Sequence, residues 1–246
     1  MKEVNSYGWK AVIGSSIGYA MDGFDLLILG FMLTLISGDL GLTTGQAGSL
    51  VTWTLVGAVI GGFIFGTLSD KFGRVRVLTW TIVLFAVFTG LCAFAQGYWD
   101  LLIYRTIAGI GLGGEFGIGM ALAAEVWPAQ HRAKATSYVA IGWQLGVLAA
   151  ALLTPVLLPY IGWRGMFLVG IIPAFVAWIF RAKLHEPEIF VQSKEIKDHS
   201  YTNSFKLLVK DVRTTKTSIG VAVLTSVQNF GYYGIMICLP NFLSKQ

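Results

Sequence analysis

The stretch VTWTLVGAVIGGFIFGTLSDKFGRVR, residues 51–76, holds the two features that decide the fold. From Val51 to Ser69 it carries no charge, and a helix of roughly 20 mostly apolar residues is long enough to cross a bilayer. Asp70, Lys71, Arg74 and Arg76 then crowd into a short polar turn around Gly73. A membrane span followed by a tight charged connection is the reading, and it repeats along the chain. Seven stretches qualify, at roughly 11–36, 47–68, 76–96, 99–126, 134–158, 162–182 and 217–242. They are hydrophobic all round, as expected of helices in lipid. The ten-residue alternation of transmembrane strands is absent.

Composition agrees. Of the 246 residues, 55% are hydrophobic and 13% charged, against about 25% charged in a soluble domain; the mean hydropathy is +0.68. A water-soluble globule and a disordered chain are both excluded. The 30 glycines and 6 prolines follow no repeat, which excludes collagen-like or linker sequence. Cys92 and Cys238 both sit in apolar runs and imply neither a disulfide framework nor a metal site. The first run is too long, and too polar in its middle, for a cleaved signal peptide.

The net charge of +5 reflects topology. All of the 18 basic residues except Arg105, Arg164 and Lys245 fall before span 1 or in the connections after spans 2, 4 and 6. The positive-inside rule puts those segments and the N-terminus in the cytoplasm, so a nucleic-acid partner is unnecessary. The expected organisation is a six-span N-terminal bundle over residues 1–182, a cytoplasmic loop over 183–216 and a seventh span within 217–246. The loop contains His185, Pro187 and His199, and Phe205, Leu207, Leu208 and Val209 suggest a short surface helix on the membrane. A solvated linker is its simplest reading.

Ionisable groups inside spans are costly and mark function by default. Span 1 holds Asp22 and Asp25 in Met21-Asp22-Gly23-Phe24-Asp25, three apart and so on one helix face. They lie about 18–22 Å along a helix starting near Ala11, close to mid-membrane. Two carboxylates this close in a low dielectric do not readily both carry charge, which suits a group that loads and releases a proton. Span 4 holds Arg105, Glu115 and Glu125. A buried guanidinium needs a carboxylate or an anionic ligand, and Asp25 is the best candidate within the chain. Glu115 is about 15 Å of helix rise from Arg105, too far to pair with it. Tyr19, Trp143 and Gln144 are further candidates for lining a cavity.

The run Gly109-Ile110-Gly111-Leu112-Gly113-Gly114 matches the dinucleotide fingerprint, but that fingerprint needs a preceding strand and a helix start. Within an apolar helix, small residues four apart favour close helix packing instead. Gly57/Gly61, Gly62/Gly66, Gly113/Gly117 and Gly142/Gly146 repeat the spacing. No nucleophile–base set, metal-ligand set or phosphate-binding loop is visible, so neither enzymatic chemistry nor a cofactor is expected.

The turn Gly66-Thr67-Leu68-Ser69-Asp70-Lys71-Phe72-Gly73-Arg74-Val75-Arg76 resembles the signature loop of the major facilitator superfamily. The run from Arg105 to Gly111 is similar to that superfamily's second motif, and Glu186-Pro187 to the Pro-Glu-type element after the first bundle. Asp22-Gly23-Phe24-Asp25 resembles the span-1 motif of the aromatic-acid:proton and sialate:proton (metabolite:proton) symporter families. Gly113-Gly114-Glu115-Phe116-Gly117, Glu125-Val126-Trp127-Pro128 and Trp163-Arg164 extend the match. The resemblance implies a conformational latch built from Gly66, Asp70, Gly73, Arg74, Arg76 and Glu125, with Glu125 pairing Arg74. It also implies uptake of a small organic anion with a proton by alternating access in a bacterial-type inner membrane. Members have about twelve spans in two bundles, so the expected second bundle is missing here beyond its first helix. The expectation is therefore a secondary carrier whose C-terminal half lies elsewhere, or a truncated, non-transporting membrane protein or assembly partner.

Overall fold

The structure, a computed structural model, describes residues 6–182, Glu186, residues 210–233 and Ile235. The described residues are helical, with no strand among them. The helices are α1 (Ser6–Leu40), α2 (Thr44–Phe72), α3 (Arg74–Cys92), α4 (Tyr98–Val126), α5 (Arg132–Ala182) and α6 (Val212–Tyr233), with a short 3-10 turn at Ala129–His131. Two compact units divide the chain, Met1–Lys194 and Glu195–Gln246. Their boundary falls inside the expected linker.

Local chemistry sets the helix ends. Gly41, at φ 63°, turns the chain out of α1, a conformation that favours glycine. Thr43 and Gln46 then form a reciprocal capping box at the start of α2: the Gln46 backbone N–H donates to Thr43 Oγ1 at 3.3 Å, and the Thr43 N–H donates to Gln46 Oε1 at 2.9 Å. Gly73, at φ 107°, separates α2 from α3, and Pro128 follows the last residues of α4. The fifth and sixth expected spans form one helical run, broken at Gly162 with φ 65° and ψ 178°. That break falls at the start of the expected sixth span.

The first unit is knit by glycine contacts between helices distant in sequence. Gly57 and Gly61 of α2 press on the backbone of Thr106 and Ile110 in α4, while Gly109 and Gly113 press back on Thr54 and Ala58; side chains at these positions would collide with backbone. Gly142 and Gly146 of α5 meet Ser16 and Ala20 of α1 in the same way. The close-packing expectation holds at these sites and fails at Gly66 and Gly117, where a Cβ would meet nothing within 4 Å. The fingerprint-like glycines lie mid-helix in α4, as a packing role requires. Contacts are dense between α1 and α5 and between α2 and α4, whereas α1 and α2 barely touch.

Phe85, Phe167, Met21, Ile28, Leu29 and Met32 form the sealed interior, while Val59, Phe63, Leu152, Val156, Ile172 and Phe175 stand exposed. An apolar exterior on this scale is the surface a helix bundle presents to lipid. The four helices α1 to α4 and the run Ala129–Ile179 are each long and apolar enough to cross a membrane, and the last contains two of the expected spans.

In the second unit, α6 begins five residues before the expected seventh span. Asp211 caps it, accepting from the Thr214 backbone N–H at 2.8 Å; this bond holds the Asp211 carboxyl below the usual carboxylate range. The described part of α6 is not among the helices long and apolar enough to cross a membrane. The rest of that expected span, Leu239 to Phe242 included, lies outside the described residues, as do His185, His199 and the expected surface helix at Phe205–Val209.

Candidate functional site

The centre of the first unit is an ion pair. Asp25 on α1 and Arg105 on α4, 80 residues apart in sequence, meet through two parallel bonds: Arg105 Nη1 donates to Asp25 Oδ1 at 3.0 Å and Nη2 to Oδ2 at 2.7 Å. Both residues are 0% exposed. The fork geometry matches guanidinium to carboxylate bidentately. Phe167, from α5 beyond the Gly162 break, places its ring centroid 5.8 Å from the guanidinium carbon, within cation–π range. Cys92 at the end of α3 also lies against Arg105.

Asp22, one turn before Asp25, is equally sealed at 0% exposed. Glu115 is 2% exposed and points toward α3, where Thr81 Oγ1 lies 3.1 Å from its Oε2. The structure therefore does not bring Glu115 together with Arg105. Tyr19 and Trp143 stack at 5.1 Å between ring centroids. Gln144, the next residue on α5, is exposed.

A second cluster sits at the α2–α3 turn. Arg74 Nη2 donates to Glu125 Oε1 at 3.0 Å, its Nε donates to the same oxygen at 3.2 Å, and Nη1 donates to Ser69 Oγ at 2.6 Å and to Asp70. The expected Arg74–Glu125 and Asp70–Arg74 contacts are both present. Arg76 contributes through its backbone, since its side chain is exposed. The Val75 and Arg76 N–H groups donate to the Glu186 carboxylate at 3.2 and 2.9 Å, at the first turn of α3, where an anion is favoured. Gly73 is required twice over: its φ is 107°, and a methyl there would overlap the Glu186 carboxyl. Ser69 and the capping role of Glu186 carry no sequence signal, because their partners are defined only by the folded turn.

A third cluster, at the opposite end of α1, was unforeseen. Trp163 Nε1 and Arg164 Nη1 both donate to Asp39 Oδ2, at 3.1 and 2.6 Å, and Arg164 Nη2 donates to the Ala95 carbonyl at 3.3 Å. This joins α1, the α3–α4 turn and the helix after Gly162. Among the described residues no group of His, Cys, Asp and Glu side chains is placed to hold a metal ion.

A multi-pass bundle with a buried Asp–Arg pair and a charged α2–α3 turn defines a recognisable class. Residues 15–246 match the Major Facilitator Superfamily profile, and the chain belongs to that family. A Haemophilus influenzae protein named for metabolite transport is 77% identical, covering 99% of this chain and 61% of its own length. The cis,cis-muconate transport protein of Acinetobacter baylyi is 32% identical over 99% of this chain and 60% of its own. The sialic acid transporter NanX of Escherichia coli is 31% identical over 83% of this chain and 51% of its own. The chain thus spans about six-tenths or less of the length of these relatives. Among solved structures, the proton:xylose symporter XylE aligns with a TM-score of 0.70 at 21% identity, covering 95% of this chain and 56% of its own, a likeness of fold.

Proposed function

We propose that the chain supplies the first bundle of a secondary carrier that moves a small organic anion together with a proton by alternating access. The observation that carries this reading is the sealed Asp25–Arg105 pair. Such a pair costs several kcal/mol per ion to desolvate and stabilises little on balance, so its place at the middle of a membrane bundle calls for a use. Asp25 takes the proton. Once neutral it releases the guanidinium, which then needs another anion, and the substrate carboxylate fills that need. Asp22 tunes Asp25. Two of the relatives named above carry acids in their names, muconate and sialic acid, which agrees with an anionic substrate. Asp70, Arg74 and Glu125 act as the latch, with Gly73 and Arg76 completing the turn. The N-terminus and residues 183–216 lie on the cytoplasmic side of the cell membrane, a placement that the distribution of basic residues supports.

The test separates coupling from binding. In vesicles containing the protein at its native length, uphill uptake and counterflow are measured side by side. Asp25→Asn mimics the protonated state; it should abolish proton-driven accumulation while retaining exchange. Arg105→Ala should lose both activities, and Arg105→Lys should recover at most a part, because an ammonium lacks the planar fork. Accumulation against a gradient by Asp25→Asn would place the proton elsewhere.

A further inference from the structure

Groups from three helices meet Arg105 of α4, and one of them is charged. Asp25 of α1 takes both Nη groups. Cys92 of α3 lies against the guanidinium, with its own S–H donated to the Phe88 carbonyl at 3.2 Å. Phe167 of α5 sets its ring centroid 5.8 Å from the guanidinium carbon. Arg105, Cys92 and Phe167 are each 0% exposed. Among the described residues, Arg105 Nε has no hydrogen-bond acceptor. Once Asp25 is neutral, the thiol and the ring are the contacts that stay as they were.

The ring is itself held from a distance. Phe167 lies one turn beyond Trp163, in the helix that restarts after Gly162, and the two rings meet edge to face with centroids 6.0 Å apart at 90°. Trp163 is pinned in turn, because its Nε1 donates to Asp39 Oδ2 at the far end of α1. A polar anchor therefore fixes an aromatic pair, and the pair fixes a π face beside the buried cation. The attraction of such a face for a cation grows when the cation is stripped of water. A bidentate carboxylate outweighs it while that carboxylate is charged; with the carboxylate neutral, the ring's share of the hold on the guanidinium rises.

We infer that Phe167 is a positioning residue for Arg105: its ring keeps the guanidinium in place while Asp25 is neutral, so that the cation is already oriented when an anion arrives. This rests on the carrier reading above and deepens it. The ring does not cancel the charge, so the demand for an anion remains. It restricts a long side chain with many rotamers, and a group held in its binding geometry beforehand loses less freedom on binding.

The test uses phenylalanine carrying one, two or three ring fluorines at position 167, which keeps the ring apolar and close to its natural shape while draining negative charge from its face. Each is introduced into the protein at its native length, with Asp25 intact and as Asp25→Asn, and unfolding is followed in detergent. In Asp25→Asn, stability should fall stepwise with the number of fluorines, reaching roughly three- to thirtyfold in the unfolding equilibrium; with Asp25 intact the fall should be smaller. The same series at Phe85, also 0% exposed and packed against Gly111, should give no graded fall. A flat series at 167 in Asp25→Asn overturns the positioning role, as do equal slopes at 167 and 85 or equal slopes with and without the Asp25 charge. No transported substrate enters this measurement, so those outcomes remove the role of Phe167 alone, whereas the carrier reading stands or falls on the uptake and counterflow experiment.

Discussion

Arg105 and Arg74 make the same kind of bond to carboxylates in opposite surroundings. Arg105 is sealed and, of the carboxylates, bonds Asp25 alone. Arg74 sits at a turn with its side chain 16% exposed and divides its donors among Glu125, Asp70 and Ser69. In the sealed pair each charge depends wholly on the other, because no water replaces a lost partner. At the turn the load is shared, the partners are 28% and 41% exposed, and solvent compensates for what is removed. On the reading proposed above, the first contact is the one that a bound proton or anion opens, and the second is the one that exchanges as the bundle moves.

The sharpest way to break this contrast is Arg105→Ala, which leaves a buried carboxylate without its cation. It should destabilise the bundle by about 3–5 kcal/mol, seen as a large fall in thermal midpoint in detergent. Pairing Arg105→Met with Asp25→Leu should recover most of that loss, since well-packed apolar replacements of a buried pair are often neutral; a double variant no more stable than the single one would refute the energetic account. Glu186→Ala, which strips the carboxylate from the start of α3, should cost about 1 kcal/mol. Glu125→Gln should cost least, under about 1 kcal/mol, because Arg74 keeps Asp70 and Ser69. Ionic strength sharpens the comparison further. Raising salt toward 1 M, where the Debye length falls to about 3 Å, should shrink the Glu125→Gln effect and leave that of Arg105→Ala almost unchanged.

What the sequence made legible follows from range and cost. Spans are local patterns of apolar residues, so five of the seven show directly in the helix ends and a sixth in the Gly162 break. The Asp25–Arg105 contact, though separated by 80 residues, could be anticipated because a charge in a span demands a partner and few candidates exist. Where polar groups have water as an alternative, that logic loses force. Asp39 with Trp163 and Arg164, or Glu186 at the foot of α3, could have faced solvent, and only the folded turns bring them together. Gly66 shows the converse error, a small residue read as a packing contact where the structure has open space.

The preference of α1 for α5, and of α2 for α4, bears on how the chain is made. At a synthesis rate of about 5–20 residues per second, α1 (ending at Leu40) leaves the ribosome roughly 3–13 s before Arg105 on α4 emerges. During that interval its two carboxylates have no guanidinium to meet, and an isolated helix carrying them is a poor membrane segment. The glycines that later fit against Ser16 and Ala20 arrive later still. Insertion of the first helix is therefore provisional until the fourth is complete, and a nascent chain stalled before residue 105 should be the form most exposed to membrane quality control.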